Sequence, residues 1–141
     1  MSLRAEVAGP VDLLEVHRRY PAQFPFLLQS VAGHPQSGRY DVLFGYPQGR
    51  ITGPRGFREL SAAFAIAEHP PASELPFVGG WFLLLGYEAA GLIEPRLSQP
   101  ASPYRLPNFL AVRCPAAMIH DRERGVTTVV SELDPNLIDH M

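Results

Sequence analysis

The chain contains no lysine, so all twelve of its basic residues are arginine. This excludes Schiff-base catalysis and any phosphate-loop lysine within these residues, because guanidinium groups do not deprotonate to nucleophilic amines. Cysteine is almost as scarce: Cys114 stands alone, which excludes an intramolecular disulfide and fits a reducing compartment. Charge of one sign is also lacking. The formal net charge is −2 and the arginines are scattered from Arg4 to Arg124, with only Arg18 and Arg19 adjacent and none of the basic striping that nucleic-acid binding needs. The N-terminal MSLRAEVAGP has no apolar signal core, and the run Trp81 to Leu85 is far shorter than the roughly 20 residues of a membrane helix. The expectation is a soluble, cytoplasmic protein with neither nucleic-acid nor membrane partner.

Catalytic patterns are missing too. Histidines 17, 34, 69, 120 and 140 show no ligand spacing on one helix, and a single cysteine completes no tetrahedral set, so they read as surface or loop histidines. No G-x-S-x-G elbow supports Ser30 or Ser37 as a nucleophile. Glu88 and Glu94, six residues apart on a connecting segment, read as solvated or salt-bridged carboxylates. No catalytic residue and no metal ligand is assigned.

A chain of 141 residues suits one domain and can bury roughly two-thirds of its unfolded surface. Apolar residues at Val11, Leu13, Leu14, Val16 and Tyr20, with Asp12 near the start of the stretch and Arg18 and Arg19 near its end, predict a helix over Val11 to Tyr20, stopped before Pro21. Phe26 to Ser30 reads as a strand, the His34-to-Gly38 segment as a turn, and Arg39 to Tyr46 as a strand antiparallel to the first. Tyr40, Val42, Phe44 and Tyr46 fall on one of its faces. The glycine- and proline-dense Gly45 to Gly56 suggests a hairpin around Arg50 to Thr52, and Phe57 to Glu68 has helical spacing.

Glu74 to Glu88, ELPFVGGWFLLLGYE, predicts a buried strand over Trp81 to Leu85, with a helical turn following over Tyr87 to Glu94. Pro95 to Pro107 reads as an extended loop. Phe109 to His120 is a long strand bent at Pro115, with a hairpin loop at Asp121 to Gly125 and a return strand over Val126 to Ser131. The class is α+β, mainly antiparallel sheet with a few covering helices.

Pro76, Phe77, Gly79, Gly80, Gly86, Tyr87 and Glu88 resemble the PF-x-GG-x-x-G-Y signature of the N-terminal domain in component I of aminodeoxychorismate synthase and anthranilate synthase, which are chorismate-utilising enzymes. Leu84 and Leu85 before Gly86 depart from the usual lead into that motif. Phe26-Leu27-Leu28-Gln29-Ser30 followed by Ser37-Gly38-Arg39-Tyr40-Asp41 is similar to two further strands of the family. Leu106 to Phe109 and Ile119-His120-Asp121 are similar to a third strand and its hairpin. The ordered set spans Asp12 to Ser131.

The resemblance implies the N-terminal part of the anthranilate synthase component I-like fold over residues 1–131. Residues 132–141 would then be a tail, or the start of a linker to an absent C-terminal chorismate-binding domain. It implies an effector pocket walled by Leu28, Gln29, Ser30, Arg39, Tyr40 and Asp41, which in relatives binds tryptophan. Gln29 stands where anthranilate synthases carry glutamate, and the short spacer before Pro76 also resembles the aminodeoxychorismate branch. In the complete enzyme, chemistry and bound magnesium belong to the chorismate-binding domain. There, ammonia from a glutamine amidotransferase partner aminates chorismate on the route to p-aminobenzoate and folate. The chain alone would be inactive. The alternatives are the anthranilate synthase domain of tryptophan biosynthesis, or a stand-alone amino-acid-binding module.

Overall fold

The computed structural model describes residues 3–31, 37–67 and 72–132. They form an α+β structure of two antiparallel sheets and short helices. The chain divides into two compact units: residues 1–48, 70–80 and 114–141 make the first, and residues 49–69 and 81–113 the second.

The first unit is built on a five-stranded sheet. Its strands are β1 (Leu3–Val7), β2 (Phe26–Leu28), β3 (Tyr40–Gly45), β7 (Ala116–Asp121) and β8 (Val126–Ser131), in the order β1-β8-β7-β3-β2. The register places Leu27, Leu43, Met118, Val129 and Ala5 in one row across the sheet. Leu43, Met118 and Val129 join Leu13 and Phe24 in a buried cluster, with Val11, Val16, Leu27 and Tyr46 packed against it. Leu13 belongs to α1 (Leu13–Arg19), shorter than the expected Val11 to Tyr20 because Asp12 caps it: Oδ1 accepts hydrogen bonds from the Leu14 and Glu15 amides at 2.9 and 3.0 Å. Helix and sheet thus bury one apolar face each against the other.

Tyr46 departs from the sequence expectation. It leaves β3 in a left-handed conformation (φ 55°) instead of extending the Tyr40-Val42-Phe44 row. Its ring instead meets Phe24 edge-on on the α1 side, centroids 5.6 Å apart. Gly45 just before it is pressed against the Phe24 ring, with no room for a Cβ.

The other face of this sheet carries Phe44, Val42, Ile119 and Val130. Residues 72–80 include Phe77, whose ring meets Phe44 at 5.0 Å. Gly79 (φ 123°) and Gly80 (φ 151°) then take a backbone that side chains oppose, and a Cβ on Gly79 would enter the space of Glu132. The double glycine therefore has a steric reason within the fold.

The second unit holds a three-stranded sheet ordered β4-β6-β5, from β4 (Gln48–Thr52), β5 (Gly80–Leu85) and β6 (Phe109–Cys114), together with α2 (Gly56–Ile66). Gly56 lies directly on the Phe109 ring, and Phe57 packs edge-on against the same ring at 4.7 Å. Residues 48–52 are a sheet strand paired with β6, not the local hairpin expected. The partner lies nearly sixty residues away, which no local turn signal reports.

β5 is an edge strand, and it too differs from expectation: Leu83 and Leu85 are about half exposed instead of buried. A 3-10 turn (Tyr87–Ala89) and α3 (Ala90–Ile93) follow, then the proline segment without regular structure. Pro115 separates β6 from β7, so the expected bend carries the chain out of one sheet and into the other. β1 has no counterpart among the expected elements. Of the predicted tail only Glu132 is described, and His34, Glu68, His69 and His140 also lie outside the described residues.

Candidate functional site

Antiparallel pairing of β3 with β7 sets Tyr40 opposite Asp121 and Asp41 opposite His120. The two strands therefore end with arginine and aspartate in inverted order: Arg39 and Asp41 on one side, Asp121 and Arg122 on the other. The charges cross. Arg39 donates to Asp121 from Nη2 to Oδ2 at 2.7 Å and from Nε to Oδ1 at 3.1 Å. Arg122 donates to Asp41 from Nη2 to Oδ1 at 2.9 Å and from Nε to Oδ2 at 3.0 Å. Both are forked guanidinium–carboxylate pairs, the strongest charge-assisted geometry available to side chains.

Further bonds fix each carboxylate. Asp41 Oδ1 accepts the Ser30 amide at 3.1 Å, and Arg122 Nη2 also donates to the Ser30 carbonyl, which ties the chain after β2 to the network. Asp121 Oδ1 accepts the amides of Glu123 and Arg124, and the Arg122 amide donates to the Arg39 carbonyl at 2.8 Å. The hydrogen bonds from Arg39 hold the buried Asp121 carboxyl down to about 2, from 3.8. The same bonds push Arg39 upward, so it stays charged at every working pH. Its guanidinium also lies 4.9 Å over the Tyr40 ring.

The six residues of the expected effector wall divide into two groups. Ser30, Arg39, Tyr40 and Asp41 come together in the crossed network, where Arg39 and Asp41 already have ionic partners. Leu28, 53% exposed, and the exposed Gln29 lie on and just after the edge strand β2 and take no part in it. Arg122, which completes the network, was read only as a hairpin-loop residue. The mirrored orders Arg-Tyr-Asp and Asp-Arg, with opposite charges at corresponding strand ends, were the available signal.

Beside the network the first unit opens a pocket of about 630 Å³, lined by Arg39, Tyr40, Asp121 and Thr128, and also by Arg4, Glu6 and Glu74. Arg4 Nη2 donates to Ser73 Oγ at 2.7 Å, and Ser73 Oγ accepts the Leu75 amide, so the wall carrying Glu74 is tied to β1. Sequence reasoning missed Arg4 and Glu74. Neither sits in a motif, and only the pairing of β1 with β8 brings Arg4 to this face.

His17 and His120 are half-buried and bonded to the Phe24 carbonyl and the Thr127 hydroxyl, so neither is the free surface or loop residue expected. Glu94 Oε1 accepts the Arg96 amide, a local turn bond. Among the described residues no three His, Cys, Asp or Glu side chains gather as a cation site, and no helix is long and apolar enough to cross a membrane. No family model matches this chain, and no curated protein matches it.

Proposed function

We propose that this chain is the N-terminal scaffold and effector-pocket domain of an aminodeoxychorismate synthase component I, acting in the cytoplasm. One observation carries the reading. Three separated motifs, Phe26 to Ser30, Ser37 to Asp41 and Ile119 to Asp121, fall on neighbouring strands and are cross-linked by Arg39–Asp121, Arg122–Asp41 and the Ser30 amide. These three segments of the resemblance thus lie side by side in one sheet, which supports the reading. The Gly79-Gly80 pair of the PF-x-GG-x-x-G-Y signature takes a backbone that glycine favours.

In this reading the chain supplies no chemistry. Chorismate and magnesium are held by a separate chorismate-binding domain, ammonia arrives from a glutamine amidotransferase, and the effector of the Leu28, Gln29, Ser30, Arg39, Tyr40 and Asp41 wall is tryptophan or another amino acid, Gln29 lacking the charge that would pair with a tryptophan ammonium. The exposed Leu83, Leu85, Tyr87 and Ile93 of the second unit are the surface such a domain would cover. The chain alone is expected to leave chorismate untouched in the presence of ammonia and magnesium. Joined to the chorismate-binding domain of its own organism, it should support formation of 4-amino-4-deoxychorismate. Turnover by the isolated chain would overturn the assignment.

A further inference from the structure

The pocket over β1, β8, β7 and β3 carries charges that have no ionic partner among the described residues. Of its three cations, Arg39 is committed to Asp121, and Arg124 faces Glu6 at 3.6 Å. Arg4 has a neutral partner, the Ser73 hydroxyl, and among the described residues no carboxylate pairs with it. A guanidinium has five donors, and this bond uses one. Of the three anions, Asp121 and Glu6 are paired as stated. Glu74 is exposed on the wall and has no ionic partner among the described residues. Among the described residues, one cation and one anion therefore remain without an ionic partner in a single pocket.

That balance selects the ligand. A simple anion attracted by Arg4 meets Glu74, and a simple cation attracted by Glu74 meets Arg4, whereas a molecule with both a carboxylate and an ammonium satisfies both. At about 630 Å³ the pocket is in the size range of small-molecule sites, roughly 300 to 1,000 Å³. Its lining is mostly charged, with Thr128 as a hydroxyl and Tyr40 as an aromatic edge. We propose that this pocket binds a free α-amino acid with a polar side chain, its carboxylate on Arg4 and its ammonium on Glu74. The site shares Arg39 and Tyr40 with the expected tryptophan wall, but excludes Leu28, Gln29 and Ser30. It stands on the pocket alone and not on the family reading.

The test is an amide NMR titration of the full chain with L-serine and L-glutamine, and with acetate and methylammonium as probes of one charge each. The expected result is saturable shifts at Arg4, Tyr40 and Thr128 with the amino acids, and at least tenfold weaker binding of either one-charge probe. Glu74→Gln, at an exposed position, and Arg4→Gln should each weaken amino-acid binding about tenfold, or 1.4 kcal/mol, with the remaining spectrum unchanged. Absence of saturable shifts at millimolar ligand, or binding indifferent to both substitutions, overturns the proposal. Saturable shifts at Leu28 to Ser30 with L-tryptophan, and none in this pocket, would overturn it while leaving the family reading intact. Amino-acid binding in this pocket by a chain not needed for p-aminobenzoate synthesis would do the reverse.

Discussion

Arg39 and Asp121, 82 residues apart in sequence, close one end of the five-stranded sheet through a forked ion pair whose shortest contact is 2.7 Å. Its carboxylate half is buried and its guanidinium half remains 43% exposed. The consequence for acid stability has a definite sign. The folded Asp121 carboxyl titrates at about 2, below an ordinary aspartate near 3.9. Its contribution is therefore complete above about pH 4 and is lost as pH falls through about 2. Asp121→Asn should lower the urea midpoint at pH 6 and flatten its fall between pH 4 and pH 2. An unchanged acid limb would show that the pair does not couple to folding.

The second pair differs in burial, and its loss should cost more than that of a surface bridge. Arg122→Ala leaves the Asp41 carboxylate buried with the Ser30 amide as its remaining described donor. The expected loss is about 2 kcal/mol, below the 3 to 5 of a fully buried pair because the guanidinium is 34% exposed. Arg124→Ala, from an exposed pair at 3.6 Å, should cost about 0.5 kcal/mol or less. Chemical denaturation of both variants checks the ranking.

Gly79 should refuse substitution for two separable reasons. Its φ of 123° opposes any side chain, and a Cβ would strike Glu132. Gly79→Ala is expected to cost about 1 to 3 kcal/mol from the backbone alone. Adding Glu132→Ala should recover the steric share and leave the backbone share. Full recovery in the double variant would locate the whole cost in the clash.

The core beneath α1 depends on Leu43, which is fully buried in one cluster with Leu13 and Met118. Leu43→Ala should destabilise by about 3 kcal/mol, against well under 1 for Leu28→Ala at a half-exposed edge position. Thermal unfolding of the two variants measures the difference.

Legibility in the sequence followed the range of the interaction. The α1 helix with its charged ends, the α2 periodicity, the β2–β3 antiparallel pair, the break at Pro115 and the Val126 to Ser131 return strand all rest on near neighbours, and each was readable, although the capping role of Asp12 was not. β4 was not, because Gln48 to Thr52 is flanked by glycine and proline and finds its partner in β6. The exposure of Leu83 and Leu85 was hidden for another reason: an apolar run does not say which strand lies at a sheet edge. At the candidate site the expected wall also held Leu28 and Gln29, and its members Ser30, Arg39, Tyr40 and Asp41 meet in an ion-pair network that was not read from the sequence. Arg122 was not legible, since crossing two charge pairs requires the β3–β7 register, and Arg4 and Glu74 needed the tertiary fold itself.

The measurement closest to the functional proposal is growth of the source organism after chromosomal deletion of residues 12–131. A requirement for p-aminobenzoate, relieved by p-aminobenzoate and not by tryptophan, is the expected result. Unimpaired growth without either supplement, or rescue by tryptophan alone, would contradict assignment to aminodeoxychorismate synthesis.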